Sequence, residues 1–304
     1  VSFNLSINAA ASGGAILQQA WIDVAMKEAF AVRIGKFKTP FSHGYLTTLG
    51  ETMMPTLPTS LTAAVIMPYS LNAVTPNIGT GFDLGVEIHG FAANKFGYEI
   101  GIFNGTGASV NTATKTISDD WHIPSLRYAG RCACMPKGIM PATQGNPDRL
   151  HEDKWMLGAS ANLNVESESE STNDTRAGLE FAMLKNKLYI GAEAYYMHVG
   201  FTDRQKIDKT YDFLGGYVQG GYFVAPCVQV AARYDFFNRN GVDTNGFLNM
   251  PAVGCNYFFK NCNLKLQAMY QFIGRTGHDT QLDRDNDDLG LAKHSGTIQL
   301  QYSF

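Results

Sequence analysis

The sequence predicts an all-β fold: a transmembrane antiparallel β-barrel with about fourteen strands visible, in a single domain spanning 1–304. Three observations carry this prediction. Apolar and polar residues alternate with period two in one stretch after another. The connections between these stretches alternate between short and long, as in outer-membrane barrels with tight turns at one rim and loops at the other. No run of about 18 apolar residues exists that would instead cross as a helix.

Taken in order, the predicted strand cores are 1–9, 15–27, 29–38, 80–91, 96–104, 122–134, 154–165, 174–184, 187–199, 211–224, 227–238, 246–259, 262–274 and 292–304. The first sets Val1, Phe3, Leu5 and Ile7 against Ser2, Asn4, Ser6 and Asn8. In the fourth, Phe82, Leu84, Val86 and Ile88 alternate with Asp83, Gly85, Glu87 and His89. At 227–238, Val228, Val230, Ala232, Tyr234 and Phe236 alternate with Gln229, Ala231, Arg233 and Asp235. At 262–274, Leu264, Leu266, Ala268, Tyr270 and Phe272 face away from Lys265, Gln267, Met269 and Gln271. The last core ends on Tyr302 and Phe304, an aromatic pair expected at the periplasmic rim on the lipid side. Tyr257, Phe258, Tyr270 and Phe272 are expected in the same kind of girdle.

Short connections fall at 27–29, 92–95, 185–187, 225–226 and 260–261, and long ones at 39–79, 105–121, 200–210, 239–245 and 275–291. Two connections break the rule: 135–153 is long where a short turn is due, and the piece between 165 and 174 is shorter than its neighbours. A soluble β-sandwich also alternates, but it does not call for fourteen strands, alternating loop lengths and a terminal aromatic.

Composition agrees. Charged residues are 17%, below the roughly 25% usual in soluble domains, while Gly 31, Tyr 14 and Phe 19 suit twisted sheet and interfacial aromatics. The net charge of -3 implies no polyanionic partner, and no nucleic-acid module is visible. Mean hydropathy of -0.13 does not discriminate, because half of each barrel strand faces water. The chain opens at Val1 without a basic and apolar leader, as a processed chain or a piece lacking its N-terminal part would. Five cysteines (Cys132, Cys134, Cys227, Cys255 and Cys262) leave at least one thiol unpaired within the chain. The C-x-C at 132–134 lacks the further ligands of a metal clamp, so no metal is assigned to it, and chance cysteines or a disulfide in an oxidising envelope are the plainer expectation.

The stretch AWIDVAMKEAFAVRIGKFKTPFS at 20–42 resembles the strand–turn–strand of the phosphate-selective porin O and P family, with Gly35, Phe37, Lys38, Pro40 and Phe41 matching its signature. YVQGGYFV at 217–224, VQVAARYDFFNRNG at 228–241 and the stretch from Asn256 to Phe304 are similar to its C-terminal strands. The resemblance implies a barrel of 16 strands, two of them ahead of Val1, usually a trimer, set in lipid and lipopolysaccharide of the Gram-negative outer membrane.

A barrel of that size holds a water-filled lumen, whose lining sets selectivity. The strand phase points Arg33, Arg127, Arg131, Arg176, Arg233 and Lys265 inward, together with Asp23, Asp83, Glu87, Glu99, Glu180, Glu193 and Asp235. The signs nearly cancel. The segment 39–79 is the candidate inward-folded constriction loop, with Glu51, Met53, Met54 and Tyr69 as its candidate lining, and no Lys or Arg occurs from Thr39 to Asn94. A selective phosphate path needs a ladder of fixed cations. The sequence therefore reads as a general porin passing small hydrophilic solutes and ions with weak charge preference. A phosphate- or anion-selective porin is the first alternative.

An enzyme is not expected. His89, Asp83 and Glu87 share one face, but spacings of two and four along a strand separate side chains by roughly 7 and 13 Å, and no nucleophile elbow is present. The second alternative is a barrel anchor or surface protein with a divalent-cation loop: Asp283, Asp285 and Asp287 begin like a calcium loop, but Asp288 and His294 stand where the template needs Gly and Glu. Acidic 166–171 reads as solvated exterior.

Overall fold

The computed structural model describes residues 1–7, 17–66, 81–104, 126–149, 151–165, 172–201, 209–238, 247–259, 264–276 and 294–302. Its elements are strands β1 (Ser2–Ile7), β2 (Leu17–Lys27) and β3 (Phe30–Lys38), short helices α1 (His43–Leu46) and α2 (Thr59–Ile66), and then strands only. These are β4 (Phe82–Ala92), β5 (Phe96–Phe103), β6 (Leu126–Cys134), β7 (Asp153–Val165), β8 (Thr172–Lys185), β9 (Leu188–Phe201) and β10 (Lys209–Ala225). The series ends with β11 (Val228–Asn238), β12 (Phe247–Phe258), β13 (Leu264–Phe272), β14 (Gly274–Thr276) and β15 (His294–Tyr302).

All belong to one antiparallel sheet in which every strand pairs with its sequence neighbour, from β1 through β13 to β15. That path has the fourteen strands the alternation predicts. The short β14 continues β13 past Ile273 and pairs with β12. β1 and β15 are the two ends of the path and are not paired with each other among the described residues. Their inward residues are mostly half-buried or exposed, because each has a neighbour on one side only.

Burial decides between membrane barrel and soluble sandwich. In β13, Lys265, Gln267, Met269 and Gln271 are buried, while Leu266, Ala268, Tyr270 and Phe272 are exposed. Leu84, Val86 and Ile88 on β4 and Val218, Tyr222 and Val224 on β10 are likewise exposed. A sheet that hides its charges and shows its aliphatic residues is built for a hydrocarbon solvent outside and a polar interior. No helix among the described residues is long and apolar enough to cross a membrane. Leu179, 66% exposed midway along β8, tests the assignment. Leu179→Arg is expected to cost about 2–4 kcal/mol in unfolding from lipid vesicles; an effect near zero would place that face outside the bilayer.

The tight turns have local causes. Ala93 and Asn94 both take positive φ, 51° and 55°, as the hairpin between β4 and β5 requires. Gly35, at φ 135°, sits where a Cβ would lie 2.2 Å from the carbonyl oxygen of Ala20, so β2 and β3 approach more closely than any side chain allows.

Three expectations need correction or fall outside the described residues. Tyr257, Tyr270, Phe272 and Tyr302 stand outward, but Phe258 is buried. It points inward to Phe223, ring centroids 5.5 Å apart, because its neighbour Tyr257 takes the outward phase. No described cysteine is in a disulfide: Cys132, Cys134 and Cys255 are exposed and Cys227 half-buried, all free. Phe304, Cys262 and the acidic loop 166–171 lie outside the described residues.

Candidate functional site: the polar face of the sheet and its two inserted segments

The thirteen charged residues assigned inward by strand phase sit on the face opposite the exposed aliphatic side chains, and the register sets five of them directly opposite a residue of the other sign. Asp23 on β2 lies opposite Arg33 on β3, which lies opposite Glu87 on β4. Arg33 reaches both, at 3.0 Å to Asp23 Oδ2 and 3.3 Å to Glu87 Oε1, while His89 Nε2 is 2.7 Å from the same Asp23 oxygen. The Arg33 guanidinium also lies 4.8 Å from the Trp21 ring centroid, which fixes its plane. On β5 and β6, Glu99 lies opposite Arg131. Arg131 Nε donates to Glu180 Oε2 on β8 at 2.9 Å and is 3.8 Å from Glu99. Arg127 is 4.0 Å from Asp83. The result is a band of alternating charge over β2–β8. Arg33 and Glu99 are its most open members, their side chains 27% and 29% exposed.

The other half of the polar face, β8–β13, is covered by residues 39–66. These residues arrive from the long-loop rim, fold inward and form α1, a short 3-10 turn at Leu49–Glu51, and α2. Glu193 on β9 holds α1: its carboxylate accepts from Ser42 Oγ and Gly44 N at 2.6 Å each, and from Tyr195 OH at 2.6 Å and Tyr217 OH at 2.8 Å. Glycine at 44 is what permits this approach, since a Cβ there would lie 2.3 Å from Tyr217 OH. Asp235 on β11 receives the first N–H groups of α2, Thr59 at 2.5 Å and Ser60 at 3.3 Å, where the helix leaves donors unpaired.

Cations grip the carbonyls. Arg176 donates to Ala64 O at 2.6 Å, Arg233 to Thr56 O at 2.7 Å, and Lys265 to Gly50 O and Thr52 O at 2.8 Å each. Lys38, at the end of β3, donates to Tyr45 O and Thr47 O. Beneath the loop runs a ladder of uncharged amides. Asn256 Nδ2 donates to Met53 O and to Gln229 Oε1, and Gln267 Nε2 donates to Thr52 O and Asn256 Oδ1. His43, in α1, is driven down to a pKa of about 3 by burial and then by the Arg131 charge, so it is neutral.

Met53 and Met54 do not line an opening. Both are buried against the wall, and a Cβ at Gly221 or Gly254 would lie 3.0 Å from the Met53 sulfur or 3.5 Å from the Met54 sulfur. Glu51 remains half-buried at the loop margin, its Oε2 accepting from Thr143 Oγ1 at 2.5 Å. Tyr69 lies outside the described residues, as do Asp283, Asp285 and Asp287. Among the described residues no cluster of three His, Cys, Asp or Glu is placed to hold a metal ion. His89 contacts Asp23, not Asp83 or Glu87, and no described hydroxyl bonds to its ring. Sequence reasoning missed Lys38, the two tyrosines and the amide ladder. Their signal was present in the strand phase, which places Gln229, Asn256 and Gln267 inward.

A family model described as "Phosphate-selective porin O and P" matches residues 1–304. Among solved structures, an anion-selective porin from Comamonas acidovorans superposes with a TM-score of 0.57 at 10% identity, covering 85% of this chain and 68% of that one. Outer-membrane expressed OmpT of Vibrio cholerae gives 0.57 at 11% identity, covering 86% and 71%. A loop L8 deletion mutant of that OmpT gives 0.52 at 12%, covering 94% and 79%. At these identities the likeness is one of fold. No curated protein matches the chain.

Proposed function

The chain belongs to the phosphate-selective porin O and P family, and from that premise we propose that it forms a diffusion channel preferring small hydrophilic anions. As a porin of the Gram-negative outer membrane, it sets its exposed aliphatic wall in lipid and lipopolysaccharide. The solute path runs between the inserted residues 39–66 and the charged band on β2–β6.

One observation supports the sign of the preference. Every inward carboxylate named for the wall has a cation within ion-pair distance or a hydrogen-bond donor: Arg33 and His89 on Asp23, Arg33 on Glu87, Arg127 4.0 Å from Asp83, Arg131 on Glu180 and 3.8 Å from Glu99, hydroxyls and an N–H on Glu193, helix N–H groups on Asp235. Lys38, Arg233 and Lys265, by contrast, rest on neutral carbonyls and form no ion pair among the described residues. Glu193 and Asp235 likewise rest on neutral donors, so charges whose partners are dipoles number three cations against two carboxylates, and the field they keep along a water-filled path sorts ions by sign.

The reversal potential in a salt gradient across a planar bilayer is the test. Anion preference is expected, with chloride current falling as inorganic phosphate is added; cation preference overturns the proposal. Arg33→Ala, which uncovers Glu87 and leaves Asp23 with His89 alone, is expected to bring the anion-to-cation permeability ratio to unity or below. A weakly selective general pore is the second reading, favoured by seven acids and six bases of near-equal number on the wall; a ratio near unity in the unmodified protein supports it. The trimer implied by the family belongs to the same proposal and is read by the mass of the protein in mild detergent.

A further inference from the structure

The connection between β6 and β7 begins and ends at the tight-turn rim. Met135 N donates to Lys95 O at 2.6 Å, in the β4–β5 turn, and Asn186 N donates to Glu152 O at 3.0 Å, in the β8–β9 turn. Its neighbours at that rim are turns of a few residues. This one does not stay at the rim. Met135, Met140, Thr143 and Gln144 are all buried, and Met135 and Met140 pack in one cluster with Met53, Met54, Met156 and Met269.

Its inner end touches the loop that enters from the opposite rim. Gln144 N donates to Glu51 O at 2.9 Å, and Gln144 Oε1 accepts from Met53 N at 3.2 Å. Gln144 O accepts from Gln229 Nε2 on β11, also at 3.2 Å. One glutamine thus ties the inserted loop to the wall through three hydrogen bonds. Thr143 caps the Glu51 carboxylate, and Gly145 N donates back to Thr143 Oγ1 at 3.3 Å, which orients the hydroxyl. Gly145 is required where it stands: φ is 116°, and a Cβ would fall 2.3 Å from Gln229 Nε2.

We propose that residues 135–149 are a second constriction element, inserted from the tight-turn, periplasmic side, that narrows the channel and, through Thr143 and Gln144, fixes the position and exposure of Glu51. Solute size is then set from both ends of the barrel. Glu51 is the one acidic residue of the inserted loop between Lys38 and Ile66. An uncapped Glu51 would project its charge into an anion path. The Thr143 hydroxyl, hidden from the extracellular mouth, is thereby a selectivity determinant.

This rests on the porin reading, and the test separates the two. Three proteins are compared in planar bilayers and in liposome swelling with neutral sugars of increasing size: the unmodified chain, a variant with 139–146 replaced by a short Gly-Ser link, and the double variant Thr143→Ala, Gln144→Ala. Folding is checked by heat-modifiable gel mobility. The link variant is expected to show several-fold higher conductance and a larger sugar limit. The double variant is expected to show added open-channel noise and a reversal potential moved toward cations. If the link variant does not fold, the double variant decides. Current in the unmodified protein with no change in the folded variants overturns the inference. No current in the unmodified protein overturns the porin reading instead.

Discussion

Replacing Gly44–Val65 with a short Gly-Ser link is expected to raise single-channel conductance several-fold and to erase most discrimination between sugars of different size. The reason is geometric. A barrel with this number of strands encloses more space than its own side chains fill. Here the space over β8–β13 is filled by α1, α2 and the segment between them. Leu61, Ala64, Met53 and Met54, all buried, contribute most of the packing. The wall beneath is already polar: Arg233, Asp235, Asn256, Lys265 and Gln267 exchange carbonyl and N–H partners for water when the loop is gone. Water satisfies such groups at small net cost, because intramolecular hydrogen bonds contribute only about 0.5–1.5 kcal/mol each beyond what water supplies. The strands should therefore survive the excision. Unchanged conductance in a folded variant would mean that the solute path does not pass this loop.

The wall of this fold was legible in the sequence and its filling was not, for a physical reason. Period-two alternation is written residue by residue along β11, β13 and β15, so strand, face and approximate length follow directly. With strands placed, even the ion pairs at Asp23–Arg33–Glu87 and Glu99–Arg131 become a matter of register. The helices in 39–66 leave no such trace. They bury small and apolar side chains against a polar wall, so neither a 3.6-residue stripe nor a solvent face is needed. The over-long 135–153 connection was visible as an anomaly of length, but its inward course depends on Gln144 finding partners far away in sequence. A count of signs was legible, but not which charges face an opposite charge: Glu87 and Glu180 have Arg33 and Arg131, whereas Lys265 and Arg233 bind carbonyls and Asp235 binds N–H groups, and those partners come from chain segments far away in sequence.

Glu193→Ala is expected to destabilise the protein by about 3 kcal/mol and to make the open channel noisy, even though the residue lies under the loop. Glu193 stands directly opposite Glu180 across the β8–β9 pairing. Like charges facing each other on one sheet face oppose folding unless each has its own counterpart. Glu180 has Arg131; Glu193 has four donors, two from the inserted loop and two tyrosine hydroxyls. Removing the carboxylate relieves the repulsion from Glu180 but takes the acceptor from four donors, of which Ser42 Oγ and Tyr195 OH, 3.3 Å apart, retain each other; each donor left unpaired in a buried place costs about 1–3 kcal/mol. Water entering the vacated space recovers part of that sum, which is why the net expectation lies near the cost of a single stranded donor. Glu193→Gln keeps one acceptor oxygen and turns an amide toward donors it cannot serve, so an intermediate loss is expected. Urea unfolding in lipid vesicles reads the stability, and open-channel current noise reads the loop. A quiet channel of unaltered stability in Glu193→Ala would show that α1 is held by the packing of Phe41, Tyr195 and Leu61 alone, and that the carboxylate is a bystander.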